Sequence, residues 1–104
     1  VKVVISVRED FSFCPSGRYR EQSPDSGQRF REDFLVPALE TSDKVVVDLD
    51  GVLGYGSSWL QAAFQDLIEV DGYPPEYLRS KIQVVGGMES DRMRIKQCLR
   101  GSDE

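Results

Sequence analysis

A chain of 104 residues, 39% hydrophobic and 30% charged, has room for one domain around one core. No apolar run approaches the roughly 18 residues that a membrane span needs. No basic region followed by an apolar stretch and a cleavage site opens the sequence, so a cytoplasmic domain without a leader is expected. There is no histidine, which removes the commonest general base and the commonest metal ligand together. No catalytic residue, metal site or cofactor is assigned.

Cys14 and Cys98 lie far apart and match no metal-ligand or redox spacing, so both are expected to be free thiols. The net charge of -5 is unevenly spread. Between Glu40 and Glu76 the acids Asp43, Asp48, Asp50, Asp66, Glu69 and Asp71 face Lys44 alone. The C-terminal stretch leans basic through Arg79, Lys81, Arg92, Arg94, Lys96 and Arg100. An acidic domain repels a nucleic-acid backbone overall, so this stripe reads as a solvated helix face and nucleic acid is not an expected partner.

Taken in chain order, the β-branched run after Lys2 predicts a strand over residues 2–7. Residues 8–25 hold two turn-like clusters around Pro15 and Pro24, with a short edge strand predicted at Arg18-Tyr19-Arg20. Phe30, Phe34, Leu35, Ala38 and Leu39 recur with helical spacing, and Asp25 or Ser26 is placed to cap that helix. Pro37 predicts a kink or break there, because it removes a donor and crowds the preceding turn. Val45-Val46-Val47-Asp48-Leu49 is the strongest strand and suits a central position. A turn at Gly54-Tyr55-Gly56 leads to a second amphipathic helix burying Trp59, Leu60, Ala63, Phe64, Leu67 and Ile68. Ser58 and Gln61 have capping-box spacing at its start, and Asp71-Gly72 ends it. Pro74-Pro75 opens a helical turn through Leu78, followed by a strand at 82–85, a Gly86-Gly87 turn and a last helix. Ser90 or Asp91 is placed to cap that helix, with Ile95, Cys98 and Leu99 facing inward.

Asp48-Leu49-Asp50-Gly51-Val52-Leu53, at the end of an apolar strand, resembles the first motif of haloacid-dehalogenase-type phosphatases. In that family the first aspartate is the nucleophile and the second the general acid, and they hold magnesium. Two carboxylates so spaced at a strand end can share a cation and a phosphate. Downstream, however, the lysines are Lys81 and Lys96, and no acidic pair follows Val84-Val85. The competing reading is that Asp48 and Asp50 bond the turn.

Lys44 to Phe64, KVVVDLDGVLGYGSSWLQAAF, resembles the centre of a STAS domain, the fold of anti-sigma factor antagonists and sulfate-transporter tails. The segment Ser26 to Leu35, with Pro37-Ala38-Leu39, is similar to the STAS-like family of bacterial domains of unknown function. The resemblance covers residues 16 to 80. It implies one α/β domain over residues 1–104, with a mixed four- to five-stranded sheet and helices mainly on one face. It also implies regulation by protein–protein binding, with a GHKL-type ATPase or kinase as partner.

The phosphoacceptor of the antagonists falls on Ser57, with Ser58 beside it. Gly56 stands where the antagonists carry an aspartate, and Trp59 where they carry a glycine. Phosphate at a helix start would meet free N–H groups and the positive dipole end; helix capping would select the same serines. Gly54, Tyr55, Gly56 and Trp59 are the candidate partner-binding residues, with packing of Trp59 under the first helix as the alternative. Arg18, Arg20, Arg29 and Arg31 either form an anion site or pair with Glu21, Asp25, Glu32 and Asp33. The chain is expected to be a binding module rather than an enzyme. The rivals are a magnesium-dependent phosphatase and a self-assembling domain that forms a homodimer through an exposed strand edge.

Overall fold

The structure is a computed structural model that describes residues 1–100. Residues 101–104, which the single-domain expectation included, lie outside the described residues. Strands β1 (Lys2–Ser6), β2 (Lys44–Asp48) and β3 (Ile82–Val85) form a three-stranded sheet in the order β1-β2-β3. Both pairings are parallel. The expected mixed sheet of four or five strands is therefore corrected, among the described residues, to three parallel strands.

The lost strand is Arg18-Tyr19-Arg20. Its backbone donors are taken by side chains: Gln22 Oε1 accepts from Arg18 N and Tyr19 N, and Gln28 Oε1 accepts from Arg20 N. With those groups satisfied locally, the segment turns instead of joining a ladder.

Among the described residues, five helical segments accompany the sheet. A π-helical turn at Val7–Phe11 follows β1 directly, so the strand predicted through Val7 stops at Ser6. Ser6 accounts for the stop: its hydroxyl accepts from Glu9 N, while its own N–H donates to Asp10 Oδ2. Helix α1 runs over residues 27–41, built from Gly27–Phe30, a π turn at Arg31–Leu35, and Val36–Thr41. Ser26 caps it, accepting from Arg29 N at 3.2 Å.

Pro37 does not end α1. The π turn places Val36 N–H on Arg31 O, and the α geometry restarts with Pro37 in its first turn, where a missing N–H costs little. Helix α2 covers residues 57–69, again through a π turn at Gln61–Gln65. Helices α3 (Pro75–Lys81) and α4 (Glu89–Cys98) flank β3. Ser90 and Asp91 lie inside α4, whose cap position is Met88, so neither fills the capping role expected of them.

The core lies on one face of the sheet. Val45, Val47, Ile5 and Ile82 pack with Phe30 and Leu39 of α1, Trp59, Phe64 and Leu67 of α2, Leu78 of α3, and Ile95 of α4. Strand register explains the division: Val3, Val45 and Ile82 align across the sheet, as do Ile5, Val47 and Val84. Val4 points to the other face and is 56% exposed. Gly27 lets α1 cross α2 closely; a Cβ there would stand 2.4 Å from Trp59 O.

Candidate functional site

The parallel strands bring the turns after β1, β2 and β3 to one edge of the sheet, where open α/β sheets place their ligand sites. The central of these connections runs over residues 49–56. At its start Asp48 Oδ1 accepts from Asp50 N at 3.0 Å, and Asp50 Oδ1 accepts from Gly87 N at 2.7 Å. The aspartate pair thus ties the β2 turn to the β3 turn. Gly86, with φ of 72°, comes so near that a Cβ would lie 2.7 Å from Asp48 Oδ1. Among the described residues, no three Asp, Glu, Cys or His side chains gather as a metal site.

At its far end the loop is held by Tyr55, whose hydroxyl donates to Leu49 O at 3.0 Å. Burial, followed by the nearby carboxylates of Asp91, Asp48 and Asp50, pushes the Tyr55 hydroxyl well above the usual tyrosine range. Between these two ties the chain projects outward, and Leu53 is 100% exposed. Gly54 and Gly56 are exposed, and a Cβ on either would meet nothing within 4 Å.

Of the four expected partner-binding residues, Gly54 and Gly56 lie on this surface and two do not. Tyr55 is 5% exposed and Trp59 1% exposed, so both are corrected to core residues. Trp59 donates from Nε1 to Asp25 O at 2.9 Å and packs against the rings of Phe11, Phe30 and Tyr55. The bulk that distinguishes this position from the antagonists' glycine is spent inside, under α1.

Ser57 is exposed and Ser58 half-buried in the first turn of α2. Neither caps the helix: the cap position belongs to Gly56, and no side chain fills it. The expected capping box fails because Ser58 sits two positions past the cap. Gln61 instead accepts from Arg18 Nη2 at 2.8 Å. Ser57 lines a shallow cleft of about 310 Å³ with Gln61, Arg94 and Cys98. Arg94 Nη1 there donates to Tyr55 O at 3.3 Å and lies 3.9 Å from Asp91.

The four arginines expected either to bind an anion or to pair locally are engaged within the protein. Arg20 meets Glu32 at 2.9 Å and Asp33 at 2.8 Å, and Arg29 lies over the Phe11 ring. The Gln28 amide, and next the Arg20 guanidinium, hold the Glu32 carboxyl below its ordinary range. Arg31 is 4% exposed and bridges the two long helices, donating to Ala62 O at 2.9 Å and Asp71 Oδ2 at 3.0 Å. The π turn in α2 makes that first bond available, since Asp66 N–H reaches Gln61 O rather than Ala62 O.

A family model for the STAS-like domain of unknown function (DUF4325) matches residues 26–92, more than half of the chain. The chain belongs to this family. The match begins at the cap of α1 and ends in α4, so it takes in both long helices, β2, β3 and the loop bearing Leu53 and Ser57. No curated protein and no solved structure matches the chain. No helix among the described residues is long and apolar enough to cross a membrane.

Sequence reasoning passed over Leu53, although an aliphatic residue between Gly51 and Gly54 was a usable signal: a loop between glycines has no periodicity to bury it. Nothing in the sequence marked Arg31 as buried. Its partner Asp71 lies 40 positions away, and its other partner is a backbone carbonyl.

Proposed function

We propose that this domain is a regulatory protein-binding module and not an enzyme, and that its partner docks on the loop tip at Leu53 and Gly54 and the start of α2 at Gly56 and Ser57. The exposed Leu53 carries the reading. A fully exposed leucine forgoes roughly 1.5–3 kcal/mol of burial that a partner would recover, and this one sits on a loop tied down at both ends. Ser57, at the start of the helix that follows the loop, is the phosphoacceptor of the switch. A phosphate adds about -1.5 to -2 charges at the docking surface and thereby releases an acidic partner or recruits an arginine. A GHKL-type ATPase or kinase is the partner suggested by the family's relation to anti-sigma factor antagonists.

The test is to use the domain as bait in a lysate of its source, with and without ATP, and to identify bound proteins and phosphosites by mass spectrometry. The expected result is an ATPase or kinase whose binding falls sharply in Leu53→Asp and Ser57→Asp and little in Ser57→Ala. Binding unaffected by either acidic substitution would end the proposal. The phosphatase reading is weakened because Asp50 and Asp48 serve the loop itself. It predicts magnesium-dependent turnover of p-nitrophenyl phosphate, abolished in Asp48→Asn. A self-assembling domain predicts neither effect, and a mass that rises with concentration.

A further inference from the structure

We infer a second docking surface, separate from the Leu53 loop: the groove between the free edge of β3 and α4, which takes an acidic, extended polypeptide segment as an added strand. Strand β3 pairs with β2 on one side, and no described residue pairs with its other edge. Leu49 N donates to Val85 O at 2.9 Å, so Val85 faces β2. Alternation then turns the N–H and C=O of Val84, and the C=O of Ile82, outward. The Ile82 N–H already serves Leu78 O, so the open groups are those of a short strand template. Beside this edge lies a groove of about 630 Å³ with Val84 and the half-exposed Met93 on its walls.

Its charge selects the occupant. Among the described residues of a chain with net charge -5, five cations (Lys44, Arg79, Arg92, Lys96 and Arg100) line this one groove against the single carboxylate Glu89. Among the described residues none of the five forms an ion pair, whereas Arg20, Arg29 and Arg31 each have a carboxylate. Arg79 and Arg92 are oriented by backbone carbonyls, Arg79 by Leu99 O and Arg92 by Gly86 O and Gly87 O. Such bonds satisfy donors without neutralising charge. Edge-to-edge pairing of two copies through β3 would bring two such grooves together and is disfavoured by repulsion. Nucleic acid would meet the right local charge, but the groove has no aromatic side chain for base stacking. A peptide gains both the backbone ladder and the cations.

The probe is a fluorescein-labelled nonapeptide alternating aspartate and valine, followed by anisotropy and by amide chemical-shift mapping of the whole chain. Binding is expected with the Val84 amide shifted and slowed in hydrogen exchange. It should weaken by about tenfold or more in the surface variant Lys96→Glu/Arg100→Glu, with an unchanged circular dichroism spectrum. A peptide of the same charge with proline replacing alternate valines cannot join a ladder and should bind at least about tenfold more weakly. No binding, equal binding of the proline peptide, or shifts confined to the Leu53 loop would overturn the inference. Tighter binding of an oligothymidine of matched charge would overturn it as well.

Discussion

Gly27→Ala adds one methyl at the crossing of α1 and α2, and its consequence is set by what that methyl meets. The new Cβ would stand 2.4 Å from Trp59 O, 2.9 Å from Ala62 Cβ and 3.1 Å from Ala63 N. Two of these atoms are helix backbone, which cannot swing aside as a side-chain tip would. The helices must therefore separate, disturbing the Gly27 N–H bond to Gly17 O and the Arg31 bond to Ala62 O. Overpacking of this kind costs about 1–3 kcal/mol. Alanine's helix preference over glycine returns at most about 1 kcal/mol, and less at a first helical position. The net expectation is a loss of about 1–2 kcal/mol, with each kcal/mol lowering Tm by roughly 4–8 °C in a domain of this size. Urea titration followed by Trp59 fluorescence reads this directly, since Trp59 is the one tryptophan and packs at the crossing. The midpoint should fall with an unchanged m-value. Gly54→Ala, in open space, is the control and should stay within about 0.5 kcal/mol. A Gly27→Ala midpoint equal to or above that of the parent protein would refute the close-crossing argument.

Arg31→Met keeps the aliphatic bulk but leaves Ala62 O without its donor, and should cost about 1–3 kcal/mol in urea; loss below about 0.5 kcal/mol would mean that the bridge is dispensable. Burial pushes the Cys98 thiol up, whereas Cys14 is exposed, so iodoacetamide at neutral pH should alkylate Cys14 well before Cys98 by mass spectrometry. The Glu32 carboxyl lies below its ordinary 4.5 in the folded protein, so its contribution is present above that pH and fades as pH falls through the folded value. Glu32→Gln should accordingly be less stable than the parent near neutrality, and the gap should close under acid; a gap independent of pH would argue against the Gln28 and Arg20 contacts.

Where a side chain's role followed from its nearest neighbours in sequence, the sequence was sufficient. Val45, Val46 and Val47 define the central strand, Ser26 caps α1, and Gly72 at φ of 79° ends α2. The failures came where competition at longer range decided. Ser58 and Gln61 have the right spacing for a capping box, but Arg18 claims Gln61 from 43 residues away. Trp59 reads equally as surface anchor and core until Asp25 O is placed opposite its indole N–H. The π turns are invisible to a count of helical periods, and the one in α2 leaves Ala62 O to Arg31 of α1, a residue far away in sequence. A four-residue run at Ile82–Val85 says nothing about how many strands lie beyond it.

The two proposed surfaces differ in what makes them usable. At the loop, Asp50 holds the entry to the Gly87 turn and Tyr55 holds the exit to Leu49 O, so the chain between them is presented by ties that belong to the sheet. Leu53 is outside because those ties leave its segment no core to reach, and binding there would add apolar burial to a framework already formed. At β3 the framework is the strand edge itself, unpaired among the described residues, and the surrounding cations choose among the chains able to pair with it. A protein with net charge -5 that gathers along one strand edge cations with no carboxylate partner among the described residues discourages its own copies there and admits an acidic strand. The loop therefore takes its specificity from a shape held out to solvent, and the edge takes its specificity from charge. A partner reaching both would need an apolar pocket for Leu53 and an acidic extended arm.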